Sequence, residues 1–557
     1  MSETSKDRGQ PMSEQTMPVR PAARIDSRRG QQGDPALLRA LAEPAMYGGH
    51  LPVAVHETHA SWVFVAGERA YKVKKPLALG FLDYSTLERR RDACCEEVRV
   101  NRQLAPGLYL GVRAIVKTER GFRLAGEGAA GAVEYAVEMQ SFSEQDTFAG
   151  LIASSSLTRV HVAGVARMLA DFHRSAEVVA DWGPDRVLAA WRKNVRELRT
   201  VSRPRAWRLD VAGGFGEAFV KAHAPELRER ARLGLARDCH GDLRCEHVLA
   251  RPSVRVVDRI EFDPRLRRTD VACDLAFLAM DLEARGQRWA AGELIAAYRD
   301  AGMSPGGEGL LSFYSAHCAL VRVKVALIAA AEHEGGTRAE DRGLAQRLWS
   351  LSERLCWRAR APVTVVICGP AASGKSVLAA ELSRRSGAPV VSSDAVRKRL
   401  ARLAPGEPAR AEHYTASFTR TTYEQLARDA LLALHRGDSV IVDATCRSRA
   451  DRAPLLSRLR HSATTLLVVR CEVPLELAVW RATLRLRDPR RVSDATPQIA
   501  AVQSRAFEEL DELPPGSLLR LDATQSLDTQ VAELARAVDR SRVKGEADPP
   551  TQIGDSR

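Results

Sequence analysis

The chain lacks several features that would place it in a class at once. None of its ten cysteines forms a CxxC pair, which argues against a zinc site or a disulfide framework and for a reducing compartment. No apolar run reaches the length that spans a membrane, and the opening segment MSETSKDRGQ has no apolar core of a signal peptide. We therefore expect a cytoplasmic protein without a membrane partner.

Lysine is also scarce. The 83 basic residues include 11 lysines, which leaves 83 − 11 = 72 arginines. Three of these lysines nevertheless fall within YKVKKP and another within GPAASGKS, so a compact ammonium group is expected to matter at both places. The net charge of +13 is spread along the chain without a polybasic block. This pattern is typical of a solvated, arginine-rich surface and supports nucleic-acid binding only weakly.

The length of 557 residues exceeds what one hydrophobic core normally organises, and the hydrophobic pattern changes along the chain. Residues 1–33 and 542–557 are polar and are predicted to be disordered tails. Residues 34–335 contain strand patterns followed by helical ones, which predicts an α+β domain. Residues 336–361 are predicted to form a helical linker. From 362 to 541, short apolar runs alternate with helical segments, which predicts an α/β domain with a parallel sheet.

The segment GPAASGKS matches the phosphate-binding pattern G-x-x-x-x-G-K-[ST], between the strand VTVVIC and the helix KSVLAAELSRR. Backbone N–H groups of the loop and of the helix N-terminus would hold phosphate oxygens. Lys375 would reach the β- and γ-phosphates of a nucleotide, and the Ser376 hydroxyl would bind Mg²⁺. The candidate nucleotide-binding residues are Gly369, Pro370, Ala371, Ala372, Ser373, Gly374, Lys375 and Ser376.

Charged residues follow other strands of the same domain. Asp394 and Arg397 lie at a strand end, where an aspartate can accept a hydroxyl proton and an arginine can neutralise a phosphate; an N-cap aspartate and a surface arginine are the alternative. Asp443 ends the strand SVIVD and suits a metal-binding role through water. Arg481 and Arg485 lie one helical turn apart, as in a lid that holds charge on a phosphoryl group, although a solvated arginine face has the same pattern.

On these residues, the segment from 362 to about 525 resembles the small P-loop kinases often labelled AAA-family ATPases. The D-x-x-R of Asp394 and Arg397 is similar to that of the phage polynucleotide kinase and zeta-toxin relatives. The resemblance implies an ATP-dependent phosphotransferase that uses ATP and Mg²⁺ and acts on a hydroxyl. The acceptor is expected to be a small molecule, with a nucleic-acid 5′-hydroxyl as an alternative. A nucleotide-dependent switch that phosphorylates little is a further alternative.

The segment from 50 to about 330 resembles the aminoglycoside phosphotransferase-like kinases. HGDLRCEHV is similar to their catalytic loop, which makes Asp242 the base candidate with His240 in support. The resemblance also implies a nucleotide-binding lysine, a glutamate that pairs with it, a metal-binding acid and a fold anchor. The matching positions are Lys72, with Lys74 as the alternative, Glu97, either Asp258 or Glu261, and Asp274.

This segment departs from the family at two points. His247 stands where an asparagine would bind the second Mg²⁺, and neutral imidazole is a poorer ligand for that hard cation. No G-x-G-x-x-G covers the expected phosphate site. The N-terminal domain is therefore either a second kinase or a module that selects the substrate. The whole chain is similar to bacterial fusion proteins described as bifunctional aminoglycoside phosphotransferase/AAA-family ATPases, and its oligomeric state stays open.

Overall fold

The computed structural model describes residues 33–545 except 51, 59, 80–81, 203–205, 333–334, 405, 463 and 486–495. The chain divides into two compact units, Met1–Asp146 with Arg255–Pro264, and Thr147–Val254 with Arg265–Arg557. The predicted N-terminal tail lies outside the described residues except for Gly33. A helix continues to Gly545, so residues 542–545 of the predicted C-terminal tail are helical and the remainder lies outside the described residues.

The first unit is built on a six-stranded antiparallel sheet with one long helix. Spatially the sheet runs β1-β2-β3-β8-β6-β7, and a separate small hairpin joins β4 to β5. Its core contains aromatic side chains of neighbouring strands, among them Phe64 and Tyr71. The elements of this unit are α1 (Pro35–Leu41), β1 (Ala54–Glu57), β2 (Ser61–Ala66), β3 (Arg69–Lys74), β4 (Ala78–Leu79), β5 (Leu82–Asp83), α2 (Leu87–Asn101), β6 (Tyr109–Thr118), β7 (Gly121–Gly126), β8 (Ala132–Gln140) and β11 (Arg255–Val256).

The second unit begins with a helical lobe. Asp270 caps helix α9 by accepting from the Ala272 N–H at 2.8 Å, and Arg230 holds the same carboxylate through two hydrogen bonds of 2.7 Å. The elements of this lobe are α3 (Phe148–Ala153), α4 (Arg159–Ser175), α5 (Pro184–Val201), α6 (Ala206–Ala222), α7 (Ala224–Arg232), β9 (Ala236–Asp238), β10 (Val248–Leu249), α8 (Pro264–Arg267), β12 (Arg268–Asp270), α9 (Val271–Ala284), α10 (Arg288–Asp300), α11 (Glu308–Glu332) and α12 (Gly335–Arg360).

Helix α11 is long and apolar enough to cross a membrane by length and composition alone, and it is the one such helix among the described residues. More than half of its apolar window, 56%, is buried inside the protein. It packs against α9 and α12 in the helical lobe. A core helix of this kind passes the same test, so the finding is weak evidence for a membrane span.

The rest of the second unit is a five-stranded parallel sheet in the order β14-β15-β13-β16-β17. All six residues of the central strand β13 are buried, because helices cover both faces of the sheet. The predicted order of an α+β domain followed by an α/β domain with a parallel sheet is confirmed. The elements are β13 (Val363–Cys368), α13 (Lys375–Ser386), β14 (Val390–Ser392), α14 (Ser393–Leu400), α15 (Ala416–His435), β15 (Val440–Asp443), α16 (Arg449–Arg460), β16 (Thr465–Glu472), α17 (Leu475–Arg485), α18 (Pro497–Arg505), β17 (Leu518–Asp522) and α19 (Leu527–Gly545).

The helical lobe and the parallel-sheet domain share one hydrophobic core. Trp357, near the end of α12, belongs to the same buried cluster as Val365 of β13 and Leu378 of α13. Arg360 follows one turn later and forms a bidentate ion pair with Asp539 of α19. Its Nε donates to Oδ1 at 2.7 Å and its Nη2 donates to Oδ2 at 2.8 Å. The segment predicted as a linker, 336–361, thus consists largely of helix α12, and its last turns lie inside the core of the P-loop domain.

The stability of the helical lobe is expected to depend on His317 of α11. Burial, with the nearby Lys324 charge, lowers the pKa of His317 to about 4. An unfolded chain protonates this ring near pH 6.5, so protonation favours unfolding. The contribution is intact above pH 6.5 and is lost as the pH falls towards 4. We expect wild type to lose about 2 to 3 kcal/mol more than His317→Gln between pH 7 and pH 4.5, measured by urea unfolding. An identical pH dependence in both proteins would contradict this assignment.

Candidate nucleotide sites

The loop between β13 and α13 has the backbone that a phosphate-binding loop requires. Gly369 and Gly374 have φ angles of 138° and 101°, and Ala372 between them has a φ of 62°. A Cβ atom at Gly369 would lie 2.8 Å from the Cys471 carbonyl oxygen, so only glycine fits there. Helix α13 begins at Lys375, which places the N-terminal N–H groups of the helix beside the loop.

Three polar groups of this loop bear on phosphate binding. Lys375 Nζ donates to the Pro370 carbonyl oxygen at 2.9 Å, so the side chain lies against its own loop. The Ala371 N–H donates to Gln503 Oε1 at 2.9 Å. The Ser373 hydroxyl is buried and has no hydrogen-bond partner within the described part of the chain. A buried hydroxyl without a partner is costly, and a phosphate oxygen could supply that partner.

Asp443 lies beside the loop at the carboxyl end of β15. The strand register sets it next to Ile367 of β13 and Ser392 of β14. Asp443 is only 6% exposed, and no hydrogen bond or ion pair joins its carboxylate to another residue in the described ranges. The loop that follows Asp443 contacts the phosphate loop, because the Gly369 N–H donates to the Thr445 carbonyl oxygen at 3.2 Å. A carboxylate and a serine hydroxyl are oxygen ligands that suit Mg²⁺.

Asp394 and Arg397 lie one turn apart on α14, directly after β14. Ser392 occupies the N-cap position, so Asp394 is not the N-cap residue of α14. Arg397 is only 7% exposed, so it is not a surface arginine. Arg397 Nη1 donates to the His413 carbonyl oxygen at 2.6 Å, and its guanidinium lies 4.7 Å from the centre of the Tyr414 ring. The Tyr414 side chain remains about half exposed. The catalytic roles of Asp394 and Arg397 stay predictions.

The two lid arginines differ in what the structure describes. Arg481 of α17 donates from Nη2 to the Ala523 carbonyl oxygen at 3.1 Å, and its Nη1 lies 3.7 Å from the position of a Cβ at Gly374. Arg481 therefore lies beside the phosphate loop. Arg485 belongs to α17 by its backbone, and its side chain lies outside the described residues.

In the first unit, two lysines of β3 share one glutamate of α2. Lys72 and Lys74 are two residues apart in the strand and so point to the same face. Lys72 Nζ lies 2.8 Å from Glu97 Oε1, and Lys74 Nζ lies 2.5 Å from Glu97 Oε2. The predicted ion pair between Lys72 and Glu97 is therefore present, and the alternative lysine contacts the same carboxylate.

The two candidate metal-binding acids pair with different lysines. Lys72 lies 2.8 Å from Asp258 Oδ1, whereas Lys74 pairs with Glu261, which also accepts from the Tyr84 hydroxyl at 2.7 Å. The Asp258 side chain is 42% exposed and that of Glu261 is 10% exposed. Burial alone would lower the pKa of Lys72, but the Asp258 and Glu97 charges outweigh it and hold that pKa above its usual value. Lys72 and Asp258 therefore form the more exposed pair and Lys74 and Glu261 the more buried one, and which acid binds a metal stays a prediction.

The loop with Asp242 lies in the second unit, and its side chains contact other residues of the same loop. Arg244 Nε donates to Asp242 Oδ2 at 3.0 Å. Burial raises the pKa of Asp242, but the Arg244 and Arg322 charges outweigh it, so the pKa lies below its usual value and the carboxylate is ionised at neutral pH. Asp274 accepts from the N–H groups of His240 and Gly241 at 3.0 and 2.8 Å, as expected for a fold anchor.

Both ring nitrogens of His247 have protein partners. Nδ1 lies 2.8 Å from the Asp242 carbonyl oxygen, which can only accept, so Nδ1 carries the hydrogen. Nε2 lies 2.8 Å from Arg244 Nη2, which can only donate, so Nε2 offers its lone pair to Arg244. The ring is thus neutral. The predicted metal role of His247 would require Arg244 to release this nitrogen.

Comparison with known proteins places the parallel-sheet domain in a described class. Residues 364–510 match the family model described as AAA domain. This match confirms the P-loop domain that the sequence resemblance named at the C-terminal end of the chain.

Three individual proteins to which the chain is similar are between 19% and 28% identical to it. An uncharacterized protein of Mycobacterium tuberculosis is 28% identical over 463 residues, which cover 81% of this chain and 89% of the relative. Among solved structures, the chain is similar to a choline/ethanolamine kinase family protein from Mesorhizobium loti, with 19% identity, a TM-score of 0.36 and coverage of 58% of this chain and 98% of the other. It is also similar to a gluconokinase from Sinorhizobium meliloti 1021, with 20% identity, a TM-score of 0.24 and coverage of 32% and 93%.

Some residues around these sites were not predicted from the sequence. Gln503 lies 132 residues from its partner Ala371, and no local pattern links the two. Arg244 lies within the quoted catalytic-loop segment, and its spacing of two residues from Asp242 was the available signal for a charge pair. No sequence pattern singled out Tyr84, because its contact with Glu261 arises only from the fold of the first unit.

Proposed function

We propose that the protein is an ATP-dependent phosphotransferase whose P-loop domain transfers the γ-phosphoryl group of ATP to a hydroxyl of a small molecule. The proposal is carried by one observation: helix α13, which begins with Lys375 and Ser376, packs against strand β15, and the buried Asp443 at the end of that strand lacks a hydrogen-bond or ion-pair partner among the described residues. This set supplies a cation for phosphate oxygens and two oxygen ligands for Mg²⁺.

Each residue has a defined task in this proposal. Ser376 and Asp443 would hold Mg²⁺, which when bound neutralises charge on the phosphates. Asp394 accepts the proton of the acceptor hydroxyl while the new bond from that oxygen to the γ-phosphorus forms and the bond to the β–γ bridging oxygen breaks, so that ADP leaves. Arg397 orients the acceptor near Tyr414, and Arg481 stabilises charge on the phosphates. Arg485 is proposed for the same task on sequence grounds alone.

The N-terminal kinase-like domain is either a second kinase or a module that selects the substrate. The Lys72–Glu97 ion pair at 2.8 Å favours nucleotide binding there. The closed contacts of Asp242 and His247 favour substrate selection without catalysis. Counting bound ATP separates these two roles, as set out in the Discussion.

The test of the main proposal is acceptor-dependent formation of ADP. Wild type with ATP and Mg²⁺ is offered sugars and polyols, nucleosides, aminoglycosides and a 5′-hydroxyl oligonucleotide, with γ-labelled ATP to follow transfer. We expect one small-molecule class to raise ADP formation and to carry the label. Asp394→Asn is expected to lower this turnover by about 10²- to 10⁴-fold, because the proton acceptor is lost, with ATP binding retained.

Asp438→Asn is the matched control, since this exposed aspartate lies in the turn before β15. It should leave turnover unchanged. Labelling of the oligonucleotide would replace the small molecule by a nucleic-acid acceptor. Tight ATP binding with no label on any acceptor would contradict the proposal and favour a nucleotide-dependent switch.

A further inference from the structure

One polar side chain of helix α18 contacts the phosphate loop. Gln503 Oε1 accepts from the Ala371 N–H at 2.9 Å. A backbone N–H can only donate, so the carboxamide presents its oxygen and not its NH₂ group to the loop. This contact places a neutral acceptor on one of the backbone N–H groups of the phosphate-binding segment.

The approach of α18 to the loop depends on small side chains. Ala371 and Ala372 of the loop form a buried cluster with Ala482 of α17 and Ala500 of α18. Gln503 follows Ala500 by three residues and therefore lies on the same face of the helix. Thr496 caps the start of α18 by accepting from the Ile499 N–H, so the helix has a defined beginning. These contacts hold the Gln503 carboxamide against the loop.

We propose that Gln503 competes with phosphate for the Ala371 N–H and thereby sets the affinity of the P-loop for its nucleotide. This inference rests on the proposed function, because it assumes that the loop binds phosphate. One N–H forms one strong hydrogen bond, so a phosphate oxygen and Gln503 Oε1 cannot both accept from it at full strength. A charged phosphate oxygen is the stronger acceptor, so binding displaces the carboxamide.

Displacement has two consequences. The nucleotide gives up part of its binding free energy, equivalent to one neutral hydrogen bond, and this lowers affinity by about 2- to 10-fold. In addition, α18 loses its polar attachment to the loop whenever phosphate is bound. Gln503 is therefore a positioning residue that links the place of α18 to the occupancy of the loop.

The test is calorimetric titration of the full chain with ATP and, separately, with inorganic tripolyphosphate, both with Mg²⁺. Gln503→Ala removes the competitor and is expected to bind both ligands about 2- to 10-fold more tightly than wild type. Gln503→Glu places a carboxylate against the loop, which repels phosphate, and is expected to bind them at least about 10-fold more weakly. Gln498→Ala is the matched control, an exposed glutamine on the same helix, and should equal wild type.

The direction of the change in affinity shows whether Gln503 competes with phosphate or supports the loop. Weaker or unchanged binding by Gln503→Ala would overturn the proposal, because a residue that shapes the loop or binds the nucleotide gives that result. Thermal melting without ligand shows whether the variant folds, and Gln503→Met carries the same expectation if alanine does not. A wild type that binds neither ligand, or a Lys375→Ala variant that binds as well as wild type, would defeat the proposed function itself and this inference with it.

Discussion

Replacement of Lys375 by alanine is expected to lower acceptor-dependent ATP turnover by about 10³-fold, since a preorganised cation on a transferring phosphoryl group contributes on that scale. The side chain starts at the first residue of α13 and contacts the Pro370 carbonyl oxygen within the same loop, so it is positioned at the phosphate site. The measurement is steady-state ADP formation with the acceptor that the screen under Proposed function identifies. Lys221→Ala, at an exposed position on α6, is the control and should match wild type.

Counting bound ATP extends the same experiment to the whole chain. Equilibrium binding with Mg²⁺ is compared for wild type, Lys375→Ala and Asp258→Ala. Two ATP molecules per wild-type chain, one lost in each variant, would establish a second nucleotide site at Asp258. One ATP, lost with Lys375→Ala and kept in Asp258→Ala, would leave the N-terminal domain to select substrate. Turnover by Lys375→Ala within 10-fold of wild type would remove the P-loop from the reaction.

The largest effect on stability is expected from Arg360→Ala, at about 3 to 5 kcal/mol. The guanidinium is buried, forms a two-pronged ion pair with Asp539 and lies 4.4 Å from the centre of the Phe215 ring. Its removal leaves the Asp539 carboxylate buried and unpaired, which is the costly outcome for a buried ion pair. The measurement is the free energy of unfolding in urea, followed by circular dichroism.

A double variant distinguishes the cost of leaving one buried charge unpaired from the effect of removing both charges. Arg360→Met combined with Asp539→Leu removes both charges and keeps apolar volume, so its stability is expected to lie near that of wild type. Arg384→Ala is the matched single control, because Arg384 forms an exposed ion pair with Glu381, and such pairs contribute about 0 to 1 kcal/mol. A loss for Arg360→Ala no greater than that for Arg384→Ala would contradict the argument.

The predictions from sequence succeeded where a local pattern carries the structure. The order of a strand, a glycine-rich turn and a helix within about 25 residues predicted the phosphate loop, and alternating apolar runs predicted the parallel sheet. The Lys72–Glu97 ion pair followed from the resemblance to a kinase fold. Each of these depends on neighbours in sequence or on a pattern shared by many proteins.

Other features depend on contacts that no local pattern encodes. The different exposures of Asp258 and Glu261 and their separate lysine partners arise from the packing of β3, α2 and the 255–264 segment. The tautomer of His247 followed from one carbonyl oxygen and one guanidinium, both fixed by the fold of the loop. Gln503 was missed because its partner lies 132 residues away.

The shared core around Trp357 and Arg360 also bears on how this chain can be divided. Both residues precede Pro362, where the sequence pattern changes from helical to alternating. A fragment that begins at Pro362 would keep every strand of the parallel sheet but would leave Val365 and Leu378 without their Trp357 neighbour and Asp539 without its arginine. We expect such a fragment to aggregate, whereas one that includes α12 should be more soluble. The two halves of unit 2 are therefore not separable at Pro362, and a gene rearrangement at this junction would have to carry α12 with the P-loop domain.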